Sequence, residues 1–267
     1  MTSRRLHLLL VGVPLLVSAV VTPVAVAAGQ PSPGGDEVGR ELYLTGCASC
    51  HGPDGKGVNG PEGDVRGPPL TDAGEAAAYY YLTTGRMPLA SSDERPVRKD
   101  PAYTPEEIDA LVAYVGTLGN GPAVPDVDPA KGDLANGGVI YRASCQACHS
   151  ASGSGGALSY GRAAPSLASA TPRQVGAAVR VGPGQMPVFG EDIISDDELN
   201  DLVSYVEYLH DPADPGGLPI GRTGPIPEGF VAWLIGITVL LALVGWIGTR
   251  APIREAVSGA GRGDRDG

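Results

Sequence analysis

Cys47-Ala-Ser-Cys50-His51 and Cys145-Gln-Ala-Cys148-His149 contain every cysteine of the chain. Two thiols three positions apart share one helical turn, close enough to add to the two vinyl groups of one porphyrin. The histidine that follows can then present its imidazole to the iron, and C-x-x-C-H is the attachment signature of c-type haem. Two copies predict two covalently bound haems c and one-electron transfer. Other chemistries also use paired cysteines. One zinc ion could take four thiolates, although zinc ribbons set their pairs closer and have no use for the histidine. A thioredoxin-like motif occurs once, in a βαβ context that this sequence lacks. Two structural disulfides would suit an exported chain. The histidine repeated in both copies favours haem over these alternatives.

The remaining axial ligands follow by exhaustion. Of three methionines, Met1 is the initiator. Met87 and Met186 lie at nearly equal distances beyond His51 and His149, in matched contexts, Gly85-Arg86-Met87-Pro88 and Gly184-Gln185-Met186-Pro187. A methionine is often only an adaptable core filler, but the duplicated setting points to iron. Met/His ligation raises the potential and fills the coordination sphere, which suits electron relay rather than oxygen or peroxide binding. His7 falls in the leader. His210 follows a helix and is expected to be exposed.

These groups need elements to hold them. The sequence repeats, each half reading as helix, haem motif, loop, methionine, helix. Residues 39–43 and 137–141 form the approach helices, with Tyr43 and Tyr141 placed alike before the first cysteines. Thr104-Pro105-Glu106-Glu107 and Ser195-Asp196-Asp197-Glu198 are capping boxes. Behind them, Ile108, Leu111, Val112, Val115 and Leu118, and then Leu199, Leu202, Val203, Val206 and Leu209, recur at helical spacing. The first half carries an insertion around Ser91 to Pro101 with Arg95, Arg98 and Lys99, read as either a partner contact or a solvated loop. Residues 120–130 read as a Pro-rich, extended, semi-rigid linker. With 40 Gly and 25 Pro, a core of side chains alone would be thin. Neither half is expected to fold well without its haem.

Residues 230–248 carry no charge and, at about 1.5 Å per residue, reach roughly one hydrocarbon thickness. Trp233 and Trp246 lie near the two ends, and Arg250, Arg254, Arg262 and Arg265 follow, which sets the C-terminus in the cytoplasm and the haem domains outside. The N-terminal stretch 1–28, with Arg4, Arg5 and an apolar run, reads as a signal peptide or as a second anchor. The formal net charge of −11 argues against nucleic acid and anionic lipid as partners of the surface.

Two haem motifs in tandem, each with Gly-x-Met-Pro, and Arg98-Lys99-Asp100-Pro101 in the first half are followed by Pro227-Glu228-Gly229 at the entry to one C-terminal anchor. From Val38 to Gly248 this order resembles the dihaem cytochrome c subunit of the actinobacterial cytochrome bcc complex, a menaquinol-oxidising bc-type enzyme. The resemblance implies a mostly α fold of two tandem class I cytochrome c domains plus a transmembrane helix. The corresponding limits are 34–119 and 131–212 for the domains, 120–130 for the linker, 230–248 for the helix and 249–267 for a cytoplasmic tail. It implies that the carbonyls of Pro68 and Pro165 receive the proton of the haem histidines, where each could otherwise be an ordinary turn proline. It also implies that the haem of Cys47, Cys50, His51 and Met87 takes electrons from a Rieske iron–sulfur subunit. The haem of Cys145, Cys148, His149 and Met186 passes them to a haem-copper cytochrome c oxidase, and quinol chemistry belongs to a cytochrome b subunit. Alternatives are a dihaem subunit of a haem-copper oxidase, in which the anchor precedes the haem domains, and a free-standing membrane-tethered cytochrome. A dihaem peroxidase would need an iron with an open position.

Overall fold

The computed structural model describes residues 35–60, 63–213 and 225–250. The leader over 1–28 and the tail arginines Arg254, Arg262 and Arg265 lie outside the described residues.

Each half uses the same order of parts. In the first, helix α1 (Gly35–Gly46) leads to the one-turn helix α2 (Ala48–His51). A small antiparallel pair follows, β1 (Val58–Asn59) with β2 (Val65–Gly67), and then helices α3 (Gly74–Thr83) and α4 (Pro105–Gly116). In the second, α5 (Leu134–Ser144) and α6 (Gln146–His149) precede the pair β3 (Gly156–Ala157) and β4 (Ala163–Ala164), then α7 (Pro172–Val181) and α8 (Asp196–Tyr208). The protein is mostly helical, and α9 (Pro225–Arg250) closes the described chain.

The first and last helices of each half cross at a glycine. A Cβ on Gly39 would collide with the Ala110 carbonyl, and one on Gly137 with the Asp201 carbonyl. The missing side chain is what lets the two backbones meet. Around these crossings lie the two cores: Tyr43, Leu111, Val112 and Val115 in the first half, and Tyr141, Leu199, Leu202 and Val203 in the second. Tyr43 packs on Tyr114 with ring centroids 5.2 Å apart, and Tyr141 on Tyr205 at 5.3 Å. Both tyrosines are fully buried, yet their hydroxyls are satisfied: Tyr43 donates to the Gly52 carbonyl and Tyr141 to that of Ser150, each at 2.7 Å. These bonds clamp the approach helix to the residue just past each haem motif. The terminal helices begin at the expected capping boxes, Thr104 with Glu107 and Ser195 with Glu198.

Two expectations need correction, the order of parts and the exposure of His210. The simple order of helix, motif, loop, methionine and helix omits α3 and α7, which stand between each motif and its methionine. The insertion around Arg98 is a solvated loop, exposed throughout 91–101, although within it Arg98 Nη2 donates to the Ser169 carbonyl at 2.8 Å and to Gln174 Oε1 at 3.1 Å. Residues 120–128 are irregular, and hydrogen bonds tie them to both halves. Asn120 N–H donates to the Thr71 carbonyl and Ala76 N–H to that of Pro122, both at 3.0 Å, while Asp128 N–H donates to Asn200 Oδ1 at 2.8 Å. Val124 packs on the first core and Val127 on the second. His210 is not simply exposed: its Nε2–H donates to the Leu167 carbonyl at 2.9 Å.

The two halves meet through α3 and α7. Ala76, Tyr80 and Ala177 form a buried cluster, with Tyr79, Tyr81, Ala178 and Val181 packed around it. Gln174 Nε2–H donates to Thr83 Oγ1 at 3.2 Å, and the Arg173 guanidinium sits 4.5 Å above the Tyr79 ring. The apolar contact supplies the adhesion, and the polar rim fixes its register.

Helix α9 begins earlier than the expected 230. Pro225 and Pro227 fit its first turn, where backbone N–H groups lack helical partners anyway. Its apolar span, Ile226–Thr249, is long enough to cross a membrane and is covered by no other described element. Trp233 and Trp246 are 68% and 54% exposed, as are Leu240, Leu241 and Val244 between them. A helix apolar on all sides and left bare suits lipid rather than water.

Candidate haem sites

The first site is built where α1 ends. Cys47 caps α2, and His51 N–H donates to the Cys47 carbonyl at 2.9 Å. This single turn brings Cys47, Cys50 and His51 together. The chain then loops through β1 and β2 and returns at Pro68, held by Leu70 N–H donating to the Gly55 carbonyl at 2.7 Å. His51 Nδ1 lies 2.8 Å from the Pro68 carbonyl. With no proton of its own, that carbonyl must accept. Nδ1 therefore carries the hydrogen, and the lone pair of Nε2 is left for a metal. A cavity of about 170 Å³ opens between Cys47, Cys50 and His51 on one side and Leu82 and Met87 on the other. Met87 is set by its N–H donating to the Tyr81 carbonyl at 3.1 Å, one turn past the body of α3.

The second site repeats the plan. Cys148 and His149 sit on α6, with His149 N–H donating to the Cys145 carbonyl at 2.9 Å. His149 Nδ1 lies 3.1 Å from the Pro165 carbonyl, again the accepting partner. Cys145 and Met186 both pack against the second core. Met186 follows α7 in a turn closed by its N–H donating to the Pro183 carbonyl at 3.2 Å. Burial holds the imidazole of His149 below the usual histidine range, against the opposing pull of the Pro165 carbonyl. A neutral ring is the form that ligates iron.

These residues fit haem c. No disulfide joins any of the four cysteines. Among the described residues no three His, Cys, Asp or Glu side chains gather as one zinc site would require. The half-buried thioethers of Met87 and Met186 have no polar work to do where they stand. Burial also pushes the thiols of Cys47 and Cys145 up to about 11.

Several residues around the sites and between the halves carry no motif. Arg98 and Gln174 join the halves, and Arg86, directly before Met87, is buried to 8% exposure. The Thr171-Pro172-Arg173-Gln174 capping box that starts α7 was a readable signal for the missed helix. The second task of Gln174 was not.

Residues 37–119 match the cytochrome c family, and residues 132–206 match the family described as cytochrome C oxidase, cbb3-type, subunit III. The chain is 38% identical to the cytochrome bc1 complex cytochrome c subunit of Mycobacterium tuberculosis, with 94% of each chain covered. It is 39% identical to that of Mycobacterium leprae over 88% of this chain and 83% of the relative. It is 34% identical to that of Corynebacterium diphtheriae over 91% of both. Two cytochrome c domains imply binding of c-type haem, and relatives of this kind make the chain an electron-transfer component of an oxidoreductase complex. On both its domains and its length, the chain belongs to the family of cytochrome c subunits of the cytochrome bc1 complex.

Proposed function

We propose that this chain holds two covalent haems c in series and relays electrons one at a time from a Rieske iron–sulfur subunit to a terminal haem-copper oxidase, within a menaquinol-oxidising bcc complex. Cys47 and Cys50 would hold the receiving haem, and Cys145 and Cys148 the delivering one. In each attachment the sulfur adds to one vinyl carbon and the thiol hydrogen goes to the other. His51 with Met87, and His149 with Met186, would be the axial ligands. When bound, the haem iron supplies a one-electron ferric–ferrous couple, which these ligands bias toward the reduced form. The carbonyls of Pro68 and Pro165 fix each histidine in the tautomer that leaves Nε2 free. Quinol oxidation, and the proton release coupled to it, belongs to the cytochrome b subunit.

The domains are proposed to span 34–119 and 131–212, joined by 120–130. Helix α9 would be the membrane anchor, with the tail from 249 in the cytoplasm and both haem domains on the outer side. Segment 1–28 would serve as a signal peptide or a second anchor.

The observation that carries this reading is the duplicated Cys–Cys–His site, each with its own methionine loop, on two domains packed face to face. A tethered pair needs no diffusing carrier, because the tether sets its local concentration. The test is Cys145→Ala with Cys148→Ala in purified complex. The first haem should remain reducible by quinol while oxygen consumption stops. Consumption at the unaltered rate, without added soluble cytochrome, would show that the second haem is off the path. The cbb3-type match favours a second reading, an oxidase subunit. Gentle purification on a tag in this chain separates the two, since a bcc assembly brings cytochrome b and a Rieske subunit along.

A further inference from the structure

The two methionine loops are joined by one residue. Met87 N–H donates to the Tyr81 carbonyl at 3.1 Å, so the main chain of Tyr81 anchors the first loop. The Tyr81 side chain reaches the other half. It packs on the buried cluster of Ala76, Tyr80 and Ala177, beside Ala178 and Val181 of α7. Its hydroxyl oxygen accepts from the backbone N–H of Gly184. Gly184 lies two residues before Met186, in the turn that Met186 N–H closes on the Pro183 carbonyl at 3.2 Å. The chain turns there at a φ of +67°. Among the described residues no main-chain carbonyl takes the Gly184 N–H, which leaves it to the phenol.

The neighbours of Tyr81 fit the same role. Leu82, next in the chain, lines the cavity beside Cys47, Cys50, His51 and Met87. The Tyr80 ring packs edge-on against that of Tyr81, with centroids 5.3 Å apart, and steadies it across the seam. Burial raises the Tyr81 phenol above its ordinary range, so it stays protonated and uncharged at neutral pH. A continuous path results. It runs from Met87 through its N–H to the Tyr81 carbonyl, along the tyrosine to its hydroxyl, across to Gly184 N–H, and by main chain to Met186. Electronic coupling decays more slowly along covalent and hydrogen bonds than across gaps between packed atoms.

We infer that Tyr81 is the electronic bridge between the two haems: an electron leaving the ferrous iron at Met87 reaches the ferric iron at Met186 through this one residue. The inference rests on the two-haem reading given above, with Met87 and Met186 as ligands. The first iron is oxidised and the second reduced by the same electron. No bond breaks, no proton moves, and Tyr81 itself is neither oxidised nor reduced.

The test compares Tyr81→Phe, Tyr81→Leu and Tyr79→Phe in the purified complex. Covalent haem is counted first, both potentials are titrated, and dipolar spin relaxation between the ferric irons gives their separation. A flash from a ruthenium photoreductant then injects one electron, and its redistribution between the haems is followed optically. At unchanged potentials and separation, Tyr81→Phe should slow the transfer several-fold, because it loses the hydroxyl contact. Tyr81→Leu, which also loses the ring, should slow it more. The loss should lie in the temperature-independent prefactor, which reports coupling, rather than in the activation. Tyr79, under Arg173 in the same seam, is hydrogen-bonded to neither methionine loop, and Tyr79→Phe should transfer at the unaltered rate. An unaltered rate in both Tyr81 variants overturns the inference. So does an equal loss in Tyr79→Phe, or a loss that comes with a changed iron–iron separation, since either would make Tyr81 a spacer only. Where Tyr81→Phe sheds haem, para-fluorophenylalanine at position 81 keeps the bulk of the hydroxyl and is read in the same way. Fewer than two covalent haems in the unaltered chain, or spectra unmoved in both Met87→Ala and Met186→Ala, would instead overturn the reading on which the bridge rests.

Discussion

Arg98 donates to the main-chain carbonyl of Ser169 at 2.8 Å, joining the insertion of the first half to the segment that leads into α7 of the second. The same guanidinium reaches Gln174, whose amide donates back to Thr83. The two domains are thus stitched at Gln174, beside the Tyr80–Ala177 seam, and a main-chain carbonyl as acceptor leaves little freedom of register. For a pair of haem sites this matters, because tunnelling between them depends steeply on a distance that the seam sets.

Arg98→Ala should loosen that stitch without touching either haem site. The two hydrogen bonds lost are worth about 0.5–1 kcal/mol each at this exposed site, so amides of Ala168–Gln174 and of the last turn of α3 should exchange roughly five- to thirty-fold faster. Amides of α5 and α8 should be unchanged. Exchange that stays the same at Ala168–Gln174 would mean that the apolar seam alone sets the register.

Tyr43→Phe and Tyr141→Phe keep the ring and remove only the hydroxyl. Each leaves a carbonyl beside the haem motif, Gly52 or Ser150, without its donor. Burial pushes the Tyr43 hydroxyl up to about 12 and raises that of Tyr141 further, so both are protonated donors at neutral pH. The expected cost is about 1–3 kcal/mol per substitution in denaturant unfolding, with haem content intact. A loss well under 1 kcal/mol would show that water replaces the hydroxyl.

Much of this arrangement was legible because it is local. The C-x-x-C-H pentapeptides, the paired tyrosines, the capping boxes and the apolar spacing of α4 and α8 all act within a few residues. Helix α3 was not legible. It packs against both α4 and α7, so Ala76, Ala77, Tyr80 and Leu82 are buried around much of its circumference and leave no single apolar stripe to read. The partners of Arg98 and His210 lie 71 and 43 residues away along the chain, and no periodicity encodes such a distance. The burial of Arg86 was unreadable for a further reason. A guanidinium in a loop beside a Met-Pro dipeptide is ordinarily solvated, yet this one lies buried over the Tyr80 ring.

The caps give an acid-side signature. Glu198 is held below the usual carboxylate range by the backbone N–H and hydroxyl of Ser195. The unfolded chain therefore binds this proton more readily than the folded one. The contribution is whole above the unfolded value and is lost as pH falls through the folded value. Glu198→Gln should flatten that part of the stability profile on the acid side. Ser195→Ala, which removes the cap itself, should cost about 1 kcal/mol at neutral pH. Parallel acid-side profiles for Glu198→Gln and the unaltered protein would show that Ser195 does not hold the carboxylate in solution.

The proposed axial ligands provide the sharpest check on the two sites. Met87 and Met186 stand in separate loops, each packed on its own domain core, so their effects should be independent. A thioether favours ferrous iron, and its loss lowers the potential. Met87→Ala should therefore depress one wave of a redox titration and leave the other nearly in place, and Met186→Ala should do the converse. Each variant should lose half of any methionine-to-iron absorption at the red end of the oxidised spectrum, and the double variant should lose all of it. The additivity is as informative as the loss, because sites that share no ligand and no core residue should not couple. Spectra unchanged in both single variants would mean that the sixth ligands lie elsewhere, and a single substitution that moved both waves together would mean that the two sites are not separate.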